Sequence, residues 1–283
     1  MSFDWRTHDA ETLEQHFNPR VALGQEVALG LIASYTERAE AARQQMTGQY
    51  DVRYGDGEKA TLDVHPGLGD GPRPVLFFIH GGFWRALDKS DHSFVVPAFV
   101  RAGVTVVNVN YDLCPTVTLD TIVAQVRQAL GFVWERAFEW NCRRDLITVC
   151  GHSAGGHLTG MLLNDPAAKG RIAAAAPLSG VFEPAVVQKI SVNADVRLDD
   201  AAAARNDCVA QPPVMQVPVL IAAGGDEPDG WREQSRIYAK VCETAGCQVS
   251  DVDIPGRNHF TLIDDFADPE GDLHKRMLAL IGV

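Results

Sequence analysis

The stretch Leu146-Ile147-Thr148-Val149-Cys150-Gly151-His152-Ser153-Ala154-Gly155 decides the fold. Its apolar, β-branched start reads as a strand buried on both faces, and Gly151-x-Ser153-x-Gly155 then leaves room for a sharp turn. The run from Leu158 to Leu163 beyond it reads as a helix. A serine at such a strand-to-helix corner sits on strained backbone with its Oγ accessible, as a nucleophile requires. Ala154 opens the helix. Its N–H lacks an intrahelical partner and lies at the positive end of the dipole, so it can face a developing negative charge.

A second motif supplies what the first lacks. The strand-like run Val75 to Ile79 leads into His80-Gly81-Gly82-Phe83-Trp84. Two glycines let the main chain approach a bound molecule closely, which makes the N–H groups of Gly81 and Gly82 candidates for the rest of an oxyanion hole. Either motif alone fits an ordinary glycine-rich loop. Both, each after an expected strand and in this order, form a specific pattern.

Outward from these motifs the chain alternates strands and helices. Gly24 to Met46 has helix composition; Tyr50 to Tyr54 and Thr61 to His65 alternate as strands before a Pro/Gly-rich turn at Pro66 to Pro74. A helix ending near Gly103 precedes a strand at Val104 to Val109, and Thr118 to Trp140 is a long amphipathic helix. Ile172 to Leu178, Pro218 to Ala223 and Gln248 to Ile254 are further strands. The pattern implies a mostly parallel central sheet flanked by helices in a single domain, 1–283. The N-terminal segment, 1–49, and the loop-rich excursion from Val181 to Pro213 are in a position to cover the site.

The late strands end on titratable residues. Gly224-Gly225-Asp226-Glu227 offers two adjacent carboxylates for one acid position, and Pro255-Gly256-Arg257-Asn258 leads to His259, a general-base candidate at a strand exit. His80, His152 and His157 read as groups that hold the site together, and His8, His16, His65, His92 and His274 as surface or packing residues. Phe83 and Trp84 are the foremost substrate-pocket residues, ahead of Tyr111, Phe182, Trp231 and Phe260. Arg85, Arg232 and Arg257 are options for pairing a substrate carboxylate.

On His80-Gly81-Gly82-Phe83-Trp84, Gly151 to His157, Gly224 to Glu227 with Gln234-Ser235, and Asn258-His259-Phe260, the chain resembles the His-Gly-Gly-x-Trp branch of the α/β-hydrolases. Within it, the chain is similar to the kynurenine formamidase (arylformamidase) group and related esterases. The resemblance runs from about Tyr54 onwards. It implies an α/β-hydrolase fold, a Ser-acid-His triad and acyl transfer without a cofactor. The group has Asp in a Gly-x-x-Asp arrangement; the same step from Gly224 reaches Glu227, with Asp226 the alternative. The implied reaction is hydrolysis of an N-formyl or N-acyl aromatic amine, the alternatives being a carboxylesterase acting on small or aryl esters and a non-catalytic hydrolase-fold binding protein. The resemblance also allows a homodimer.

Composition narrows the partners. The 283 residues are 46% hydrophobic and 22% charged, with no apolar run long enough to span a membrane. A net charge of −12 disfavours a nucleic-acid partner but does not identify a substrate, since the field in a pocket can oppose the net charge; the small-molecule substrate is what the resemblance implies. Met1 to Arg6 lack a basic start and an apolar core, so the expected location is the cytoplasm. Six scattered cysteines without zinc spacing read as reduced structural thiols, and no metal or organic cofactor is expected.

Overall fold

The computed structural model describes residues 3–283; Met1 and Ser2, the start of the N-terminal segment, lie outside the described residues. Eight strands form one sheet: β1 (Gln49–Arg53), β2 (Thr61–His65), β3 (Arg73–Ile79), β4 (Thr105–Val109), β5 (Cys142–His152), β6 (Ala174–Leu178), β7 (Pro218–Gly224) and β8 (Gln248–Ile254). Their order is β1-β2-β4-β3-β5-β6-β7-β8. The β1–β2 and β2–β4 pairs are antiparallel and the rest parallel. This is the α/β-hydrolase fold, with the antiparallel strands gathered at one edge.

The helices are α1 (Ala10–Phe17), α2 (Pro19–Leu23), α3 (Gln25–Gln45), α4 (Val96–Arg101), α5 (Leu119–Arg136), α6 (Ala154–Leu163), α7 (Asn193–Val196), α8 (Asp200–Arg205), α9 (Asp229–Thr244), α10 (Leu262–Ala267) and α11 (Asp272–Ile281). Strand periodicity sorts the core onto the sheet's two faces. Val75, Phe77 and Ile79 of β3 face a cluster built with α1, α5, α6 and α9. Leu76 and Phe78 face a second cluster with α3, α4, α10 and α11. Burial on both faces is why these strands read as continuous apolar runs rather than alternating ones. All of α6 is buried, which explains why its sequence is apolar on every side.

Differences from the sequence reading lie at element ends and in the short helices α1, α2, α7 and α8, which it does not foresee. The expected helix from Thr118 to Trp140 is α5 followed by a 3₁₀ turn, Ala137–Trp140; Thr118 caps it by accepting from Thr121 N. β5 begins four residues earlier than Leu146, because Arg143, Arg144 and Asp145 run exposed. The excursion 181–213 holds a 3₁₀ turn, α7 and α8. None of the helices among the described residues is long and apolar enough to cross a membrane.

Candidate active site

The turn that carries Ser153 forms where β5 meets α6. Ser153 has φ 59° and ψ −118°, and its N–H donates to Leu178 O at 2.9 Å. A non-glycine residue held there costs about 1–3 kcal/mol, sustained by the packing around it. Gly155 provides the close approach: a Cβ there would lie 2.1 Å from Ile79 O, so any side chain would push α6 off the sheet. The helix N-terminus therefore stays beside the end of β3, where the His80-Gly81-Gly82 loop begins.

That loop turns back sharply. Gly82 has φ 117°, and a Cβ on it would fall 2.0 Å from Ala86 O; Phe83 and Trp84 follow at φ 51° and 57°. The N–H groups of Gly81, Gly82 and Phe83 donate to no acceptor among the described residues, and Gly81, Gly82 and Ser153 line one cleft. Phe83 is thus a further free main-chain donor that the glycine pattern did not single out. The loop is braced from behind. His80 Nδ1 lies 2.7 Å from Gly81 O and its Nε2 3.0 Å from Asn110 Oδ1, its ring stacks on Tyr111 at 4.3 Å, and Tyr111 donates to His80 O. Asn110 in turn donates to Asp88, which Lys59 also contacts.

The acid and base candidates, Glu227 and His259, follow β7 and β8. Glu227 is buried, with Oε2 3.3 Å from His259 Nδ1. Its Oε1 accepts from Ser179 Oγ and, at 2.9 Å, from Gly224 N. Asp226 is exposed; its main chain bonds Arg257 O and its carboxylate has no partner among the described residues. Of the two adjacent carboxylates, the geometry brings Glu227 to His259. With Nδ1–H directed at a carboxylate, the other ring nitrogen is the one left to accept a proton. Asn258 fixes the His259 loop by accepting from the N–H groups of Phe260 and Thr261, each at 3.0 Å. Rings of Trp231 and His152 flank His259 at 4.2 and 4.7 Å.

Ser153 and His259 line one cleft. Phe83 and Phe260 line it. Trp84 departs from the expectation: it is fully buried, edge-on to His157 at 5.0 Å, and does not reach the cleft. The consecutive positive φ values after Gly82 send these two neighbouring side chains in different directions. Tyr111, Phe182 and Trp231 are likewise buried, so they shape the site from behind. Arg232 and Arg257 are engaged with Asp253 and Asp265, while Arg85 lines the cleft and pairs with Asp195.

The N-terminal segment contributes Asn18, Pro19, Arg20, Ile32 and Tyr35 to the wall, none of them singled out in the sequence. Among the described residues, the excursion 181–213 supplies no part of the lining. It backs the segment instead, through Glu183 to Arg6 and Ser191 to Glu14. All six cysteines are buried and unbridged, and among the described residues no three His, Cys, Asp or Glu side chains cluster to hold a metal ion.

Burial also tunes the histidines behind the site. Loss of solvation pushes the imidazoles of His80 and His157 down to about 4, and lowers that of His152 well below its ordinary value. Folded pKa values below the unfolded value near 6.5 mean that the unfolded chain binds the extra protons. Their contribution to stability is present above pH 6.5 and is lost as pH falls towards 4, by up to about 1.4 kcal/mol per pH unit for each histidine. Urea unfolding at pH 7 and pH 5 should show this loss, and His157→Gln should flatten the slope. An unchanged slope in the variant would remove His157 from the account.

The chain is similar to known hydrolases. The BD-FAE family model matches residues 62–179. A kynurenine formamidase of Salmo salar is 29% identical, covering 98% of both chains. Esterase LipQ of Mycobacterium tuberculosis is 32% identical over 47% of this chain and 35% of its own. A solved structure from Silicibacter sp. tm1040, assigned as a thioesterase, superposes with a TM-score of 0.80 at 26% identity, covering 90% of this chain and 94% of that one.

Proposed function

We propose that this chain, an α/β-hydrolase enzyme related to kynurenine formamidase and to esterases, uses Ser153, His259 and Glu227 to hydrolyse the amide bond of a small N-formyl or N-acyl aromatic amine. The observation that carries the reading is the buried Glu227–His259 pair opening on the same cleft as Ser153. His259 removes the Ser153 proton as Oγ attacks the carbonyl carbon, and Glu227 holds the imidazole in the required tautomer. The N–H groups of Gly81, Gly82 and Ala154 receive the oxyanion, with Phe83 N–H as a neighbouring donor. Collapse of the tetrahedral intermediate breaks the C–N bond, and His259 passes its proton to the departing amine. Water, deprotonated by His259, then attacks the acyl-enzyme, releasing the acid and restoring Ser153.

Near-full-length similarity to a kynurenine formamidase and the Phe83 and Phe260 rings in the cleft support an aromatic amide. The second reading, a carboxylesterase on small or aryl esters, is favoured by the similarity to esterase LipQ. Matched aryl esters, N-formyl aryl amines and longer N-acyl aryl amines separate the two, with products identified. Amide cleavage within about tenfold of the ester rate is the expected result. Ester cleavage with all the amides untouched would transfer the assignment to a carboxylesterase.

A further inference from the structure

The end of β6 touches both halves of the site. Leu178 O accepts the Ser153 N–H at 2.9 Å, and the next residue, Ser179, donates its hydroxyl to Glu227 Oε1. No motif marks Ser179 in the sequence. It is fully buried at φ 42°, a backbone region that glycine occupies more readily than serine. Its N–H is fixed to Ala222 O of β7 at 2.8 Å, and α6 closes over the turn, since a Cβ on Gly156 would lie 2.6 Å from Leu178 O. Among the described residues its hydroxyl has one partner, the Glu227 carboxylate. Strain sustained by packing around a side chain with a single polar contact points to a role for that contact.

The terminal torsion of a glutamate is broad, so nearness to His259 does not by itself aim one oxygen at Nδ1. Two donors from neighbouring strands do. Gly224 N–H at the end of β7 and the Ser179 hydroxyl beyond the end of β6 converge on Oε1, and the planar carboxylate then presents Oε2 to His259 Nδ1 at 3.3 Å. The same donors offset the loss of solvation around a carboxylate whose side chain is fully buried. We propose that Ser179 is a positioning residue acting through Glu227: its hydroxyl locks the carboxylate in the rotation that holds the His259 imidazole with Nε2 free to accept the Ser153 proton. This rests on the hydrolase reading above and adds a fourth side chain to it. Without the hydroxyl, the carboxylate keeps the Gly224 donor alone and can swing about that bond, and the imidazole loses its fixed orientation.

Phenyl acetate, a neutral aryl ester, is the probe. Ser179→Ala keeps Cβ and removes only Oγ; it should lower kcat by about 10- to 100-fold, the range of a hydrogen bond to a charged group, with KM within about twofold of wild type. Ser179→Cys, which retains a weaker donor, should recover part of the loss. The decisive comparison is made in Glu227→Gln. There the aimed carboxylate is already gone, so adding Ser179→Ala should cost less than about a further twofold, whereas damage to the turn or a loss of folded protein would multiply through in full. Equal kcat in wild type and Ser179→Ala, a loss carried by KM, or full additivity in the double variant would each overturn the proposal. The rate at which an aryl phosphonate labels Ser153 reads the same activation without turnover. If the wild type labels yet cleaves neither amides nor esters, the substrate reading alone fails, and labelling slowed by about 10- to 100-fold in Ser179→Ala still supports the role of Ser179. Equal labelling rates in the two proteins would remove that role.

Discussion

Ser153→Ala is expected to lower kcat on any cleaved substrate by about 10⁵- to 10⁶-fold, the loss that follows removal of a nucleophile from a working triad. Ser153 is held at φ 59° by its N–H bond to Leu178 O and by the close seating of α6 against the sheet, so no neighbouring side chain can be moved into its place. Alanine keeps the Cβ and therefore the packing, and removes only Oγ. The variant should fold, with an unchanged or slightly raised thermal midpoint, and should resist labelling by an aryl phosphonate that modifies the wild type. His259→Ala should cost nearly as much, and the double variant little more than either alone, since base and nucleophile act as a unit. Residual turnover within about a hundredfold of wild type in Ser153→Ala would rule out the acyl-enzyme route.

How far such a site is legible in the sequence depends on whether its signal is local. The nucleophile turn and the His80-Gly81-Gly82 loop are short motifs whose meaning lies in their own backbone, and β2 and β8 have the expected limits because turn residues bound each apolar run. The strand β5 outruns its apolar core because Cys142 pairs with Arg73 beyond an irregularity that carries the exposed Arg143 to Asp145, which no burial pattern announces. Two short helices precede α3, and their signals were present: Asp9 accepts from Thr12 N, and Asn18 precedes Pro19 at a helix start. Their function was not. Asn18, Arg20 and Tyr35 become cleft residues only when the N-terminal segment folds over β-strand ends far along the chain, a tertiary event with no periodicity of its own. Trp84 shows the converse limit. Its place in the motif is right, yet one peptide bond separates a cleft side chain from a core one, and only the dihedral angles after Gly82 decide which is which.

Glu227→Gln is expected to cut kcat/KM by about 10⁴-fold, while Asp226→Asn changes it by less than about threefold. The difference comes from hydrogen-bond polarity. In the wild type, Glu227 Oε1 accepts from both Gly224 N–H and Ser179 Oγ, leaving Oε2 for His259 Nδ1–H. A glutamine has one acceptor oxygen, and the Gly224 main-chain donor cannot be turned away. The oxygen therefore stays with Gly224, and the amide NH₂ faces His259. Imidazole must then accept at Nδ1 and carry its proton on Nε2, the tautomer that cannot take a proton from Ser153. The volume hardly changes, so the thermal midpoint should move far less than activity does. Asp226 is solvated and its carboxylate touches none of these atoms, which makes Asp226→Asn a near-silent control. Assays of both variants on one neutral aryl ester decide the matter. A greater loss from Asp226→Asn than from Glu227→Gln would move the acid role to the exposed residue and require the loop between β7 and α9 to rearrange during turnover.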